Sequence, residues 1–149
     1  MALARKGVVM ERGSSTMGVR IEPIVCHRDH RGGVFEPLDA EHLPRQRHVH
    51  VVVTEPGGVR GNHTHTRATE VLIVQGPALV RVRDAQGVQD TLVPEGGVTR
   101  FTIPPGVGHA VHNQGTRPML LVAFRDRTDD PADPDVVREI LIEVCPSGG

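Results

Sequence analysis

Closely spaced glycines and prolines constrain the fold of this chain more than any other feature of its sequence. The 149 residues include 17 glycines and 12 prolines, which divide much of the chain into short apolar runs. Short runs rich in valine, isoleucine, leucine and threonine predict strands joined by turns. We therefore expect an all-β sandwich or barrel. The predicted strands cover residues 19–26, 49–54, 70–75, 78–83, 90–93, 99–103, 109–113 and 119–124.

The remaining segments complete a prediction of one domain. Residues 1–18 are polar and lack the apolar stretch of a secretion signal, so they predict a flexible tail before a single domain at 19–149. Gly87 favours a tight hairpin turn, because glycine readily adopts a positive φ. Residues 134–144 are ambiguous, since Pro134 can open a short helix while the valines and isoleucines that follow can form a strand.

Charge and cysteine usage exclude several classes of partner. The formal net charge is −1, so the composition does not indicate binding to nucleic acid or to an anionic membrane. No apolar run approaches the length of a transmembrane helix. Cys26 and Cys145 lie far apart in no metal-binding spacing, which predicts reduced thiols and a cytoplasmic location, although a disulfide between them remains an alternative.

A cluster of histidines follows the glycine pair at 57 and 58. His63 and His65 are two residues apart, so on an extended strand their rings share one face. Glu70 follows at the start of a predicted strand, and His109 follows a Pro-Pro-Gly turn. Imidazole and carboxylate groups bind Zn²⁺, Fe²⁺ or Mn²⁺. The same groups could instead be the acid and base of a metal-free pocket, or ordinary surface residues.

The pattern resembles the two motifs of the cupin superfamily, whose fold is a jelly-roll barrel. The first motif, G-x5-H-x-H-x4-E, is matched by Gly57, His63, His65 and Glu70, and the second, P-x-G-x2-H-x3-N, is matched from Pro104 to Asn113 with His109 as its histidine. Gly76 follows Glu70 one residue earlier than is usual. If Gly76 sets the register, Thr69 takes the place of the glutamate; a strand bulge would instead keep Glu70 in position.

A narrower resemblance extends over residues 19–135. The stretches "DHRGGVFEPLD", "GVRGNHTH", "IPPGVGHAVHN" and "DDPADPD" resemble the sugar-nucleotide branch of the cupins, which includes deoxysugar 3,5-epimerases, 3,4-ketoisomerases and the cupin domain of capsular polysaccharide synthesis reductase/epimerases. The resemblance implies a homodimer that acts on a nucleotide-linked keto sugar. It also implies a divalent metal held by His63, His65, His109 and Glu70: zinc first, with iron, manganese or nickel as alternatives.

The absence of tyrosine separates this chain from the 3,5-epimerases, which pair a histidine base with a tyrosine acid. His63 matches the base position of that family, but its acid partner must be a different residue. Alternation along 48–53 places His48 and His50 on one strand face, and the resemblance places that face toward the sugar pocket. We therefore expect His48 or His50 to act as an acid–base group. Arg60 is the candidate for binding a phosphate or sugar oxygen.

Three functions remain compatible with the sequence. The first is an epimerase or isomerase that removes a proton next to a carbonyl, either with a metal or in a metal-free form with His63 as base and His65 as its partner. The second is an Fe²⁺-dependent dioxygenase of a small molecule. The third is a non-catalytic module that binds a sugar or a small acid.

Overall fold

The structure, a computed structural model, describes residues 14–16 and 18–144. These residues form thirteen β-strands and one turn of 3₁₀ helix at Leu43–Arg45. None of the described residues forms an α-helix, and no helix there could cross a membrane. The strands are β1 (Ser14–Thr16), β2 (Val19–Pro23), β3 (His27–Asp29), β4 (Gly32–Val34), β5 (His48–Thr54), β6 (Val59–His65), β7 (Glu70–Gln75), β8 (Ala78–Asp84), β9 (Gly87–Val93), β10 (Val98–Ile103), β11 (Gly108–Asn113), β12 (Met119–Arg125) and β13 (Val136–Arg138).

The strands form two main antiparallel sheets. The six-stranded sheet has the order β1-β2-β10-β7-β12-β5, and the five-stranded sheet has the order β13-β6-β11-β8-β9. Both sheets contribute to one buried aliphatic core, which centres on Phe101. From β5 to β8, and again from β9 to β13, each strand lies in the opposite sheet from the one before it, as in a jelly roll. The predicted all-β jelly roll is therefore confirmed.

Each of the eight predicted strands corresponds to an observed strand, with differences at the ends. Gly87 has a φ of 145° at the β8–β9 hairpin, as expected from its place in the turn. The ambiguous segment 134–144 contains β13 and no helix. β13 is short because it only adds to the edge of the sheet beside β6.

The predicted tail and one cysteine fall largely outside the described part of the chain. Residues 1–13, residue 17 and Cys145 are not among the described residues. Ser14–Thr16, within the predicted tail, pair as β1 with β2.

β7 carries apolar residues on both faces, because both faces are covered. Leu72 and Val74 face the core between the sheets. Val71 and Ile73 point outward into a second apolar cluster that includes Phe35 from the segment after β4. The burial of β7 on both faces matters for the site, since Glu70 is its first residue.

Candidate metal centre

Two neighbouring strands bring three histidines together. β6 and β11 pair so that His63 lies opposite His109, and the ring centroids of these two residues are 4.8 Å apart. The rings of His63 and His65 are 4.9 Å apart, as expected for alternate residues of one strand. His65 and His109 are 3% and 1% exposed. The predicted convergence of the three rings is thus present in the fold.

Gly61 explains why β6 and β11 can approach so closely at this point. Its φ is 82°, and the register of the two strands shifts between His109 and Ala110. A Cβ atom at residue 61 would lie 2.7 Å from the carbonyl oxygen of His109, closer than such atoms ever approach. Glycine is therefore required both by the left-handed backbone and by the contact between the strands.

Glu70 completes the cluster from the opposite sheet. Its Oε2 lies 2.9 Å from Nε2 of His65, and its Oε1 lies 3.0 Å from Nε2 of His109. The side chain is almost fully buried. Of the two residues left open by the motif spacing, it is Glu70 rather than Thr69 that faces the histidines.

In His65 and His109, the ring nitrogen that faces away from Glu70 is Nδ1, and it lies beside a hydrogen-bond acceptor. Nδ1 of His109 lies 3.1 Å from the carbonyl oxygen of Val107, and Nδ1 of His65 lies 3.3 Å from Oδ2 of Asp135. A carbonyl or carboxylate acceptor keeps a proton on Nδ1, so that a metal could take the place of the proton that Nε2 of each ring directs at Glu70. Nε2 of His63 is buried and has no hydrogen-bond partner among the described residues.

The electrostatics of the cluster favour a bound cation. Burial, reinforced by the charge of His109, lowers the pKa of His63 to about 4, so this ring is neutral at pH 7. Burial would raise the pKa of Glu70, but hydrogen bonds from His109 and His65 hold it well below its ordinary value. Burial also opposes protonation of His65, yet its hydrogen bond with Glu70 raises the pKa of that ring. A carboxylate among imidazoles is a site that attracts positive charge.

These residues fit a divalent metal by their donor chemistry. One ligand atom from each of His63, His65, Glu70 and His109 can be chosen so that all lie within 4.8 Å of one another. Three imidazoles and one carboxylate are suitable ligands for zinc, iron, manganese or nickel. The unpartnered Nε2 of His63 supports this fit, because a buried polar atom without a partner is costly unless a ligand satisfies it.

A cavity of about 210 Å³ opens beside the cluster. His50 and Arg60 line it together with His63, Glu70 and His109, and apolar side chains from both sheets form the rest of its wall. Larger clefts occur elsewhere, including one of about 520 Å³ around Gly76 and Gly115, but that cleft contains none of the four candidate ligands. The small cavity is the one lined by three of the four candidate ligands and by a further histidine, which is the stronger indication of an active site.

The structure separates His48 from His50, although both face inward as the alternation predicts. Val49, the residue between them, is 55% exposed on the outer face. His48 lies outside the cavity lining; its Nδ1 accepts a hydrogen bond of 3.0 Å from Arg125, and its Nε2 lies 3.6 Å from Asp129. His50 lines the cavity, and its buried Nδ1 has no partner among the described residues. Burial, together with the charge of Arg125, lowers the pKa of His50 below its ordinary value of 6.5.

Arg60, the predicted substrate-binding residue, is exposed at the cavity wall. Its Nη2 donates a hydrogen bond of 3.3 Å to the carbonyl oxygen of Val53, which leaves other guanidinium N–H groups free to contact a ligand.

Three charged residues that the sequence did not single out support the site. Arg125 is buried, with its Nε 4.0 Å from Oε2 of Glu70, and it forms an ion pair with Asp129. Asp135 holds His65. Burial opposes ionisation of Asp135, but hydrogen bonds from Thr66 and from nearby backbone amides lower its pKa to about 2. The only sequence signal was the acidic stretch "DDPADPD", which contains Asp129 and Asp135.

Two packed antiparallel sheets with three histidines and a glutamate clustered beside a cavity define a cupin, which is the class predicted from the motifs. The chain belongs to the family described as the polysaccharide biosynthesis C-terminal domain, whose model matches residues 27–137. No curated protein matches the chain in a sequence search.

Solved structures support the same assignment. CapF from Staphylococcus aureus, a capsular polysaccharide assembling protein, is 26% identical with a TM-score of 0.58, over 78% of this chain and 32% of CapF. ChmJ from Streptomyces bikiniensis, a 3'-monoepimerase solved with dTDP-quinovose, is 22% identical with a TM-score of 0.66, over 81% of this chain and 70% of ChmJ. QdtA from Thermoanaerobacterium thermosaccharolyticum, a sugar 3,4-ketoisomerase solved with TDP, is 17% identical with a TM-score of 0.64, over 84% of this chain and 90% of QdtA.

The chain spans about a third of the length of the CapF structures that it matches. At their lower identities, ChmJ and QdtA show that the fold is shared. The resemblance to the sugar-nucleotide cupins, which rested on sequence motifs, is confirmed by the family match and these structures.

Proposed function

We propose that this protein is a metal-dependent epimerase or isomerase of a nucleotide-linked keto sugar. The observation that carries the proposal is the placement of His50, with an unpartnered Nδ1, at the wall of the cavity that His63, Glu70 and His109 also line. An acid–base group beside a metal-binding cluster in an enclosed space is the arrangement required to move a proton next to a carbonyl. The kinship with CapF and the ligands named for ChmJ and QdtA support the choice of a sugar nucleotide.

His63, His65, Glu70 and His109 would hold the metal, which we propose to be zinc. A divalent metal supplies Lewis acidity toward the carbonyl oxygen of a substrate. The part played by the chain itself follows from three properties of the pocket. Apolar side chains form part of its wall, the neutral ring of His63 is free to act as a ligand, and the buried Glu70 carries a negative charge that balances the cation.

His50 would be the general base. Its lowered pKa keeps the ring neutral at pH 7, so Nδ1 can accept the proton from the carbon next to the carbonyl. The C–H bond breaks and its electron pair moves toward the carbonyl oxygen. In an isomerisation the protonated ring of His50 then gives the proton to the neighbouring carbon; in an epimerisation a water molecule on the opposite face of the same carbon donates the proton, and His50 loses its own proton to solvent. Arg60 would bind a phosphate oxygen of the nucleotide at the cavity wall, because a guanidinium group is suited to forked contacts with phosphate.

The decisive experiment measures metal content and proton exchange together. Purified protein is analysed for bound metal and then incubated in D₂O with a panel of dTDP- and UDP-4-keto-hexoses, and deuterium incorporation is followed by NMR. We expect bound zinc and exchange next to the carbonyl of at least one sugar. His112→Asn is a matched control, since His112 lies on the same strand as His109 but is three residues further along and so faces the other way.

Two results would contradict the proposal. A metal-free preparation that is fully active would exclude the role of the metal and would favour His63 and His65 as an acid–base pair. Exchange with none of the sugars would exclude the enolising reaction and would leave a binding module or an oxygenase.

We further propose that the chain forms a homodimer through the outer face of β5. β5 is an edge strand of the six-stranded sheet, and Val49, Val51 and Val53 are each more than half exposed there. A row of exposed valines on an edge strand is a ready surface for pairing with another chain. Sedimentation velocity should show a dimer that Val51→Glu converts to a monomer. A wild-type protein that sediments as a monomer at all concentrations would exclude this interface.

A further inference from the structure

Asp135 contacts the ring of a candidate metal ligand from outside the cluster. Its Oδ2 lies 3.3 Å from Nδ1 of His65, while Nε2 of the same ring lies 2.9 Å from Glu70. An imidazole that binds a metal through Nε2 must carry its proton on Nδ1. An acceptor beside Nδ1 fixes both the position of that proton and the orientation of the ring.

The carboxylate of Asp135 is itself held by the loop that joins β6 to β7. Oδ1 accepts hydrogen bonds from the backbone N–H of Arg67 at 2.7 Å and from Oγ1 of Thr66 at 2.9 Å. Oδ2 accepts a bond of 3.1 Å from the backbone N–H of Ala68. The loop runs from His65 to Glu70. The carboxylate of Asp135 therefore restrains His65 and also the loop that leads from His65 to Glu70.

The backbone on either side of Asp135 is also fixed. The carbonyl oxygen of Asp135 accepts a bond of 2.9 Å from the N–H of Thr66, and β13 begins at the next residue, with Val136 paired to His65. Further along, Oε2 of Glu139 accepts a bond of 2.6 Å from Oγ1 of Thr64. The side chain of Asp135 is only 15% exposed. These contacts give it a defined position rather than that of a mobile surface acid.

We propose that Asp135 is a positioning residue for the metal centre: it holds the Nδ1 proton of His65 so that Nε2 of that ring is directed at the metal. The inference rests on the proposed metal site and adds a residue that lies outside it. The carbonyl oxygen of Val107 does the same for His109. Because a backbone carbonyl cannot be removed by substitution, His65 is the ligand at which this arrangement can be tested.

Asp135→Asn tests the proposal with little change of shape. The amide puts an N–H group in place of one carboxylate oxygen. In one orientation that group faces Nδ1 of His65, and in the other it faces Thr66 and Arg67 while the amide oxygen still accepts from His65. Asp135→Ala removes the acceptor in both cases and is measured beside Asp135→Asn. The matched control is Asp133→Asn. Asp133 lies in the same segment and pairs with Arg67 at 2.6 Å, but it has no contact with His65 among its described interactions.

The first measurement is zinc affinity by competition with a chromophoric chelator. Asp135→Asn should raise the dissociation constant about 10- to 100-fold, the usual effect of removing a partner of a metal-binding histidine. Asp133→Asn should change it less than about twofold, because the contacts of His65 remain. Equal losses in Asp133→Asn and Asp135→Asn, or no loss in Asp135→Ala, would overturn the proposal.

The second measurement locates the proton on His65 in the wild-type protein by ¹⁵N NMR of the ring. A protonated Nδ1, protected from exchange in the wild type and unprotected in Asp135→Asn, is the expected result with or without zinc. An unprotonated Nδ1 in the wild type would refute the role of Asp135. If the wild type binds no metal, the proposed metal function fails, whereas this NMR signal still decides whether Asp135 positions His65.

Discussion

The chain contains two His-x-His pairs, and they differ in what surrounds them. His48 and His50 on β5, like His63 and His65 on β6, share an inward strand face, with ring centroids 5.4 Å and 4.9 Å apart. The β6 pair converges on the carboxylate of Glu70, to which His65 is hydrogen-bonded. The β5 pair instead lies near the guanidinium group of Arg125, which donates a hydrogen bond to His48 and lowers the pKa of His50.

The difference shows that the spacing of two histidines determines only that they share a face. A neighbouring carboxylate favours positive charge and so favours a bound metal, as around His63 and His65. Burial and, after it, a neighbouring guanidinium group disfavour a positive charge on His50 and lower its pKa, which leaves the ring suitable as a base. The partners that decide between these roles come from other strands.

The largest expected effect is the removal of a ligand from the β6 pair. His63→Asn should lower zinc affinity by at least about 100-fold and reduce deuterium exchange to background, because a ligand is lost as well as the metal-dependent activation of the carbonyl. Metal analysis and the D₂O assay check this, with His112→Asn as control. If His63→Asn retained both metal and activity, the metal would have to be held elsewhere.

The next effect is the removal of the base from the β5 pair. His50→Asn should slow exchange by about 10²- to 10⁴-fold, the usual contribution of a general base, while zinc content stays at the wild-type level. His48→Asn should slow exchange much less, because His48 lies outside the cavity lining. A larger loss in His48→Asn than in His50→Asn would reverse the assignment of the two residues.

A smaller effect is expected in the pH profile of exchange. Only neutral His50 can accept a proton, so kcat/KM should fall as the pH drops through the pKa of this group. Because burial and Arg125 lower that pKa, the acid limb should lie below pH 6.5. Arg125→Gln removes the second largest of these causes, the charge of the guanidinium group, and should move the limb to higher pH. A limb above pH 6.5 in the wild type would argue against His50 as the base.

The smallest effects concern the residues between the paired histidines. Thr64 donates a hydrogen bond of 2.6 Å to Glu139, so Thr64→Val should lower the free energy of unfolding of the metal-free protein by about 1.5 kcal/mol. Val49 is 55% exposed, so Val49→Thr should change the free energy of unfolding by less than about 0.5 kcal/mol. This comparison is made at protein concentrations too low for a dimer to form. Urea denaturation measures both. Equal costs would show that the surroundings of the two pairs contribute equally to stability.

The sequence was sufficient for the features that depend on local pattern. Alternation predicted the inward face of β5, and the motif spacing predicted that His63, His65 and His109 would converge. The sequence left open whether Glu70 or Thr69 takes the glutamate position of the motif, because the shortened spacing to Gly76 allowed two alignments. The pairing of β7 with β10 and β12, which sets Glu70 opposite Ile103 and Arg125, shows how this strand is aligned.

The supporting residues could not be predicted, since their partners are distant in the chain. Asp135 is 70 residues from His65, and Arg125 is 77 residues from His48. No local periodicity links such pairs. The distinction between His48 and His50 has the same origin, because it depends on the register that places Arg125 opposite His48.

Gly61 has a consequence for how loss of function would arise in this family. The residue carries no donor or acceptor side chain, yet adding a single methyl group would push apart the strands that carry His63 and His109. A Gly61→Ala protein would retain all four ligands in its sequence and would still lose their convergence. A survey of variants that checked only the ligand positions would classify such a protein as competent.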